Sequence, residues 1–218
     1  MKRIMLMSAK GGSGKSTLAT NLAAYYALDG HRVVLADFDP QGSCMDWLAV
    51  RPGERARIEG VAATLQSFSP SLRRGYLIMD TPGSVRGRAL TALTRRADNL
   101  IIPVTPSPMD IRATARFIEE LLTVRRVRQE RIRICVAANR VRRQDQAFDA
   151  LLRFLDRLHI PMAVQFNDAE IYVQAAGTGL SVFEMPGPQA DDESRRWHPL
   201  LRWLAGKPVE SKTGLPTR

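Results

Sequence analysis

Cysteine and histidine are scarce in this 218-residue chain, and each scarcity removes a class of chemistry. Cys44 and Cys135 are the only cysteines and form no C-x-x-C pair, so neither a disulfide framework nor a cysteine-rich zinc site is expected. Cys135 stands in an apolar run and is expected in the core. His31, His159 and His198 are scattered along the chain, which argues against a metal cluster built from side chains. No apolar run reaches the ~18 residues that a spanning helix needs. Residues 1–6 are too short a lead before the first Gly-rich loop to be a signal peptide, and the expected compartment is the cytoplasm. Acidic residues are also short: 22 Asp and Glu face 32 Lys and Arg, giving a net charge of +10 and a pI near 10.4. That balance favours a polyanionic partner, either nucleic acid or an anionic membrane. The excess is mostly arginine, which suits bidentate phosphate contacts, although a codon bias would give the same count.

The remaining composition, 44% hydrophobic and 25% charged, is that of an ordinary globular protein, and the length suits one α/β domain with a full core. Short apolar runs alternate with helical periodicity. Residues 3–8, 32–36, 76–79, 99–104 and 132–138 read as strands, with a final short strand over 162–166. Helices are expected over 15–29, with Leu18, Leu22, Tyr25 and Tyr26 inward, and over 111–127, with Ile111, Ala115, Ile118 and Leu122 on one face. A further helix is expected over 144–158, with Phe148, Leu151, Leu152 and Leu155 inward. Gly30 stops the first helix. Strands that are apolar throughout and alternate with helices imply a mainly parallel, twisted sheet covered by helices on both faces. Ligand loops then belong at the carboxyl ends of the strands, where residues 8–14, 37–42, 80–83 and 105–110 fall. Residues 1–206 are expected to form a single domain, and 207–218, which lack periodicity, to fray.

Residues 10–17 read K-G-G-S-G-K-S-T between a strand and a helix. Gly11, Gly12 and Gly14 let the backbone curl until its N–H groups, those of Ser13 and Thr17 among them, point at an anion. Lys15 brings a point charge to the β- and γ-phosphates, and Ser16 offers a hydroxyl to Mg²⁺. The helix that follows adds its positive end. The arrangement is a P-loop, and the α/β architecture is that of a P-loop NTPase, with ATP and Mg²⁺ as the expected ligands.

Lys10 narrows the class. A lysine at that position resembles the deviant Walker A of the ParA/MinD family, in which the extra lysine reaches across a dimer to the partner's nucleotide. The resemblance extends to Asp37-Phe38-Asp39-Pro40-Gln41-Gly42, similar to switch I, and implies that Asp39 orients the attacking water and Asp37 supports the metal shell. Asp80-Thr81-Pro82-Gly83 is similar to the Walker B and switch II segment, with Asp80 holding Mg²⁺ through water. Residues 103–110 resemble the P-x-x-P-S-P-x-D segment that frames dimer and nucleotide in short partition ATPases. Asn139-Arg140 resembles the N-R pair whose Asn reads the adenine amino group, and a strand-end turn is the other reading of Asn139. The matches cover residues 1–110 closely and 139–190 more loosely. Cys44 and Cys135 do not fit the cluster cysteines of the iron-protein relatives.

The positive charge is concentrated in two places. Ten arginines between 112 and 143 face Glu119, Glu120 and Glu130, with Arg125 and Arg126 near a helix end; Arg195, Arg196 and Arg202 form a second group. These five are candidate contacts to nonspecific DNA, which needs a phosphate-directed surface and no base readout. The alternative for each is a solvated helix face. With only nine residues before Lys10 the chain resembles the short ParA type, without an operator-binding domain. The resemblance implies a slow, partner-stimulated ATP hydrolase that dimerises on ATP, binds nucleoid DNA, and positions a plasmid or a protein body such as a carboxysome. A cargo-linked activator of ParB or McdB type would trigger hydrolysis. The competing function is a MinD-like ATPase on the membrane surface, because Trp197, Leu200, Leu201 and Leu204 line one face of a C-terminal helix. Trp203 interrupts that face, and packing on the domain is the expectation.

Overall fold

The computed structural model describes residues 1–68, 74–141 and 146–208, without the side chains of 146–148. In chain order the elements are β1 (Lys2–Leu6), α1 (Lys15–Leu28), β2 (Val33–Asp37), α2 (Ser43–Ala49), β3 (Glu59–Ala62), β4 (Tyr76–Asp80), α3 (Gly87–Thr94) and β5 (Asn99–Val104). There follow α4 (Pro108–Thr123), α5 (Arg125–Arg128), β6 (Arg133–Val141), α6 (Gln146–Arg157), β7 (Met162–Asn167), α7 (Ile171–Gly177), α8 (Pro188–Arg196) and α9 (His198–Leu204). The strands form one sheet in the order β3-β2-β4-β1-β5-β6-β7, with every described pairing parallel. This is the α/β P-loop NTPase architecture that the apolar, non-alternating strands imply.

Parallel strands must be covered on both faces, and the residue alternation of the central strands shows how. Ile4 and Leu6 of β1 and Tyr76 and Ile78 of β4 enter a core shared with α1, α2 and α7–α9. Met5, Leu77 and Met79 point to the other face, into a core shared with α3–α6. Each such side chain, fully buried, contributes about 1.5–3 kcal/mol. Helix α1 packs on the sheet beside α2, with Asn21 and Tyr25 against Val182 and Phe183, and is buried nearly all round. It ends where Gly30 adopts a positive φ of 77°. Cys135 is buried, as its apolar neighbours imply.

Several elements depart from the sequence reading. The long helix expected over 111–127 is broken at Val124, whose extended backbone (ψ 125°) separates α4 from the short turn α5. Val124 at the break and Val127 beyond it are both buried. The inward stripe of α4 is Ile111, Thr114, Phe117, Ile118 and Leu121; Ala115 and Leu122 are only half-buried. Strand β6 runs past the expected end through Asn139 and Arg140, with a register irregularity between Ala138 and Val141. In α6, Leu151 and Leu155 are buried and Leu152 is half-buried, while the expected inward position of Phe148 lies outside the described residues. So does the expected tail from residue 209 onward, and so do Arg142 and Arg143.

The C-terminal apolar face is committed to the core. Trp197, Leu200, Leu201 and Leu204 are all buried, and so is Trp203. Trp203 is no interruption, because α9 is covered on a second side: the Arg133 guanidinium carbon sits 4.3 Å from the centre of its ring, and Arg133 Nη2 donates to its carbonyl at 2.6 Å. No described helix is long and apolar enough to cross a membrane.

Candidate nucleotide site

The carboxyl ends of β1, β2, β4, β5 and β6 bring the sequence motifs to one rim of the sheet. Asp37 ends β2 and Asp80 ends β4, and the two are paired across the ladder, so both carboxylates arrive beside the loop that follows β1. In that loop Gly12 and Gly14 have φ values of 76° and 92°, the left-handed region that a residue with a Cβ resists. Gly14 caps α1, and Lys15 opens the helix with its residue only 6% exposed. Ser16 and Thr17 follow half-buried in the first turn.

The loop is gripped from both sides. On one side, Gly83 packs against it so closely that a Cβ there would stand 2.7 Å from the Gly11 nitrogen. Ser84 donates its N–H to the Ser8 carbonyl at 3.1 Å and its hydroxyl to the Ala9 carbonyl at 2.7 Å. On the other side, the bulge in β6 turns Asn139 inward, where Nδ2 donates to the Ser13 carbonyl at 2.9 Å. A Cβ on Gly14 would fall 2.0 Å from that same nitrogen. Asn139 is therefore a bulge residue and no simple strand-end turn, and in this structure its amide holds the phosphate loop.

Ser16, Asp80 and Cys44 converge beneath the loop. The Ser16 hydroxyl donates to Asp80 Oδ2 at 2.5 Å, and the Cys44 thiol donates to the same oxygen at 3.4 Å. Asp80 is fully buried, and its other oxygen, Oδ1, has no hydrogen-bond partner. Burial pushes its pKa up to about 6, against the pull of the Ser16 hydroxyl and Lys15. Burial, with Asp80 and Asp37 nearby, pushes the Cys44 thiol far above its ordinary range. A buried carboxylate oxygen with no donor is an energetic liability unless a cation uses it. The Ser16 and Asp80 oxygens therefore fit a magnesium ion, which would supply charge neutralisation for the phosphates. Asp37, expected to support the metal shell, is hydrogen-bonded to the backbone that follows it. Its two oxygens accept the backbone N–H groups of Asp39 at 3.0 Å and Cys44 at 2.9 Å, so in this structure it shapes the turn that carries Asp39. Asp39 is half-buried, and its Oδ1 accepts from the Gln41 N–H at 3.0 Å.

Lys10 points away from its own loop. Its ammonium lies 2.7 Å from Asp110 Oδ1 at the start of α4, with side-chain exposures of 42% and 29%. The Lys10 ammonium, with the Thr105 and Ser107 hydroxyls, holds the Asp110 carboxyl below its ordinary range.

The five candidate DNA-contacting arginines do not join this cluster. Arg125 is exposed. Arg126 donates to the Ala97 carbonyl at 3.1 Å and lies 3.8 Å from Asp98, beside the start of β5, at the end of the sheet opposite the loops. Arg195 and Arg196 end α8, paired within the helix to Asp192 and Glu193, and Arg202 is exposed on α9. Sequence reasoning did not assign Cys44 a place in the site. The signal was the switch I segment itself, because the fold that brings Asp37 to Asp80 brings the residue seven further on as well.

Residues 4–171 match the family model described as the CobQ/CobB/MinD/ParA nucleotide binding domain. Two proteins called maintenance of carboxysome distribution protein A are similar to this chain. The one from Halothiobacillus neapolitanus is 26% identical over 201 residues, 87% of this chain and 91% of its own length. The one from Gloeobacter kilaueensis is 38% identical over 112 residues, so the chain spans about half of that relative, 50% of this chain and 51% of the other. An McdA–ATP complex from Cyanothece superposes with a TM-score of 0.72 at 19% identity, covering 97% of this chain and 99% of that one, a likeness of fold. With its gripped phosphate loop and its second lysine, the chain belongs to the CobQ/CobB/MinD/ParA family of nucleotide-binding domains.

Proposed function

We propose that the protein is a ParA-type positioning ATPase. It binds ATP and Mg²⁺, dimerises across Lys10, holds nonspecific DNA, and moves a cargo when a cargo-linked activator stimulates hydrolysis. The observation that carries this reading is the convergence of the gripped P-loop with the Ser16–Asp80 pair, while Lys10 turns outward. Phosphoryl transfer asks mainly for positioning and charge neutralisation. Loop N–H groups and Lys15 would hold the β- and γ-phosphates; Ser16, and Asp80 through water, would hold the metal ion, which would neutralise phosphate charge; Asp39 would align the attacking water. Lys10 then leaves Asp110 for the nucleotide of a second copy. Asn139 would accept the adenine amino group through Oδ1 while its Nδ2 keeps the Ser13 carbonyl.

The similarity to the carboxysome-distribution proteins suggests a protein body as cargo, and the charge of +10 suggests the nucleoid as track. Arg125, Arg195, Arg196 and Arg202 are the proposed contacts; Arg126, engaged with Ala97, is the weakest of the five. The burial of the α9 apolar face leaves that helix nothing with which to enter lipid, which favours DNA over a membrane. Binding of a labelled duplex is measured with ATP, ADP and no nucleotide at two salt concentrations, beside sedimentation with anionic vesicles. The expected result is ATP-dependent duplex binding that falls steeply with salt, at a log–log slope of roughly −0.9 per phosphate contact. Vesicle binding without duplex binding would replace this reading with the membrane one.

A further inference from the structure

We propose that Cys44 makes the metal position of this nucleotide site receptive to a thiophilic divalent cation of the zinc or cadmium class, bound through Cys44 Sγ, Asp80 and Ser16. The inference rests on the nucleotide-site reading and goes beyond it by assigning the site a sulfur ligand. Cys44 Sγ stands 3.4 Å from Asp80 Oδ2, and the Ser16 hydroxyl donates to the same oxygen. The second observation is independent of the cysteine: Asp80 Oδ1, on the same fully buried carboxylate, has no partner. An oxygen–sulfur–oxygen donor set differs from the all-oxygen surroundings that suit magnesium, and a thiolate selects softer ions.

The site is incomplete on its own. Among the described residues no three of His, Cys, Asp and Glu are grouped so as to hold a metal. The two Asp37 oxygens are engaged by backbone N–H groups. Nucleotide phosphates would complete the shell, and soft-metal binding should require nucleotide. When the ion binds, the Cys44 S–H bond breaks, the sulfur–metal bond forms, and the proton passes to buffer.

The test is cadmium titration of the whole protein with and without ATP, read by the ultraviolet sulfur-to-cadmium charge-transfer band. Cys44→Ala is run alongside, and magnesium-dependent ATP binding is measured on both proteins. Cys135, buried in the core, is kept in both, so any band arising from it appears in both. The expected result is a band in the parent that needs ATP and is lost in Cys44→Ala. The cadmium concentration that supports ATP binding should rise on the order of 10- to 100-fold in the variant, as when a group tuning a metal site is removed. ATP binding with magnesium but no ATP-dependent band in the parent overturns the proposal, as does an ATP-dependent band of equal intensity in Cys44→Ala. A parent that binds no ATP with magnesium overturns the nucleotide-site reading instead, and the proposal with it.

Discussion

Replacing Asp80 with Asn should make the nucleotide-free protein more stable. The Asp80 carboxylate is fully buried, has one oxygen without a donor, and titrates near pH 6 in place of 3.8. A shift of that size means the charged form costs the empty fold about 3 kcal/mol relative to the neutral acid, at about 1.4 kcal/mol per pH unit. Because the folded value lies above the ordinary one, the cost is absent below pH ~4, where the group is protonated in both states. It grows as the pH rises and is complete above about 6. Asn imitates the neutral acid and still accepts from Ser16. Urea unfolding without nucleotide should therefore show Asp80→Asn more stable by about 3 kcal/mol at pH 8 and by about half that at pH 5. For a chain of this size each kcal/mol moves Tm by about 2–4 °C. Saturating the parent with magnesium and ATP at ~100 times Kd adds about 2.7 kcal/mol, close to what the empty site gives up, and the variant should gain much less. A variant less stable than the parent at pH 8, or a gain that is the same at both pH values, would refute the assignment of Asp80 as an unpaired buried charge.

Four further substitutions test the parts around it. Lys15→Ala should abolish ATP binding in a calorimetric titration, and unchanged affinity would remove the P-loop assignment. Asp39→Ala should bind ATP but turn it over far more slowly, accumulating dimer on size exclusion; hydrolysis at the parental rate would mean that another group aligns the water. Gly83→Ala would place a Cβ against the Gly11 nitrogen and the Lys10 carbonyl carbon, backbone atoms that cannot swing aside. Nucleotide affinity should drop at least about tenfold, or 1.4 kcal/mol, and parental affinity would show that the two loops are not pressed together. Arg51→Ala would strand the Glu184 carboxylate, whose side chain is 1% exposed and whose ion pair with Arg51 spans 2.7 Å. Breaking such a pair from one side costs about 3–5 kcal/mol, so thermal unfolding should fall by more than 6 °C, and a smaller shift would mean that water reaches Glu184.

The sequence disclosed the sheet and the phosphate loop because both rest on short-range chemistry. Uninterrupted apolar runs such as residues 99–104 announce a doubly covered strand, and K-G-G-S-G-K-S carries its own requirement for positive φ. What escaped was set by distant parts of the chain. Strand β3 is short and lies at the sheet edge, with a half-buried pattern too brief to read. Helix α8 is almost wholly polar, yet Glu193 is buried because Asn167, Tyr172 and Arg196 reach it from three elements. The break at Val124 and the bulge at Asn139 are likewise decisions of packing and register. The same holds for the Asp37 contacts to the Asp39 and Cys44 N–H groups, which only the folded turn discloses.

The geometry around Lys10 bears on how readily a dimer could form. Lys10 pairs with Asp110, and Asp110 is itself fixed by Thr105 and Ser107, so the lysine has a defined resting place that is not its own phosphate loop. The pair is partly open to solvent, and pairs of that kind are worth about 1 kcal/mol or less. A triphosphate offered by a second copy is a stronger counter-charge in a drier setting, so the resting pair cannot be the main barrier to exchange. Asp110→Asn should then change the ATP concentration needed for dimer formation by no more than about fivefold, which is 1 kcal/mol. Were that variant to dimerise without nucleotide, the Asp110 contact would be the restraint that keeps the chains apart, and the weakness of an exposed pair would have been the wrong guide. Under the proposed reading the phosphate loop and the buried Asp80 beneath it would set the affinity for nucleotide. Lys10, at the surface and loosely held, is free to respond to it.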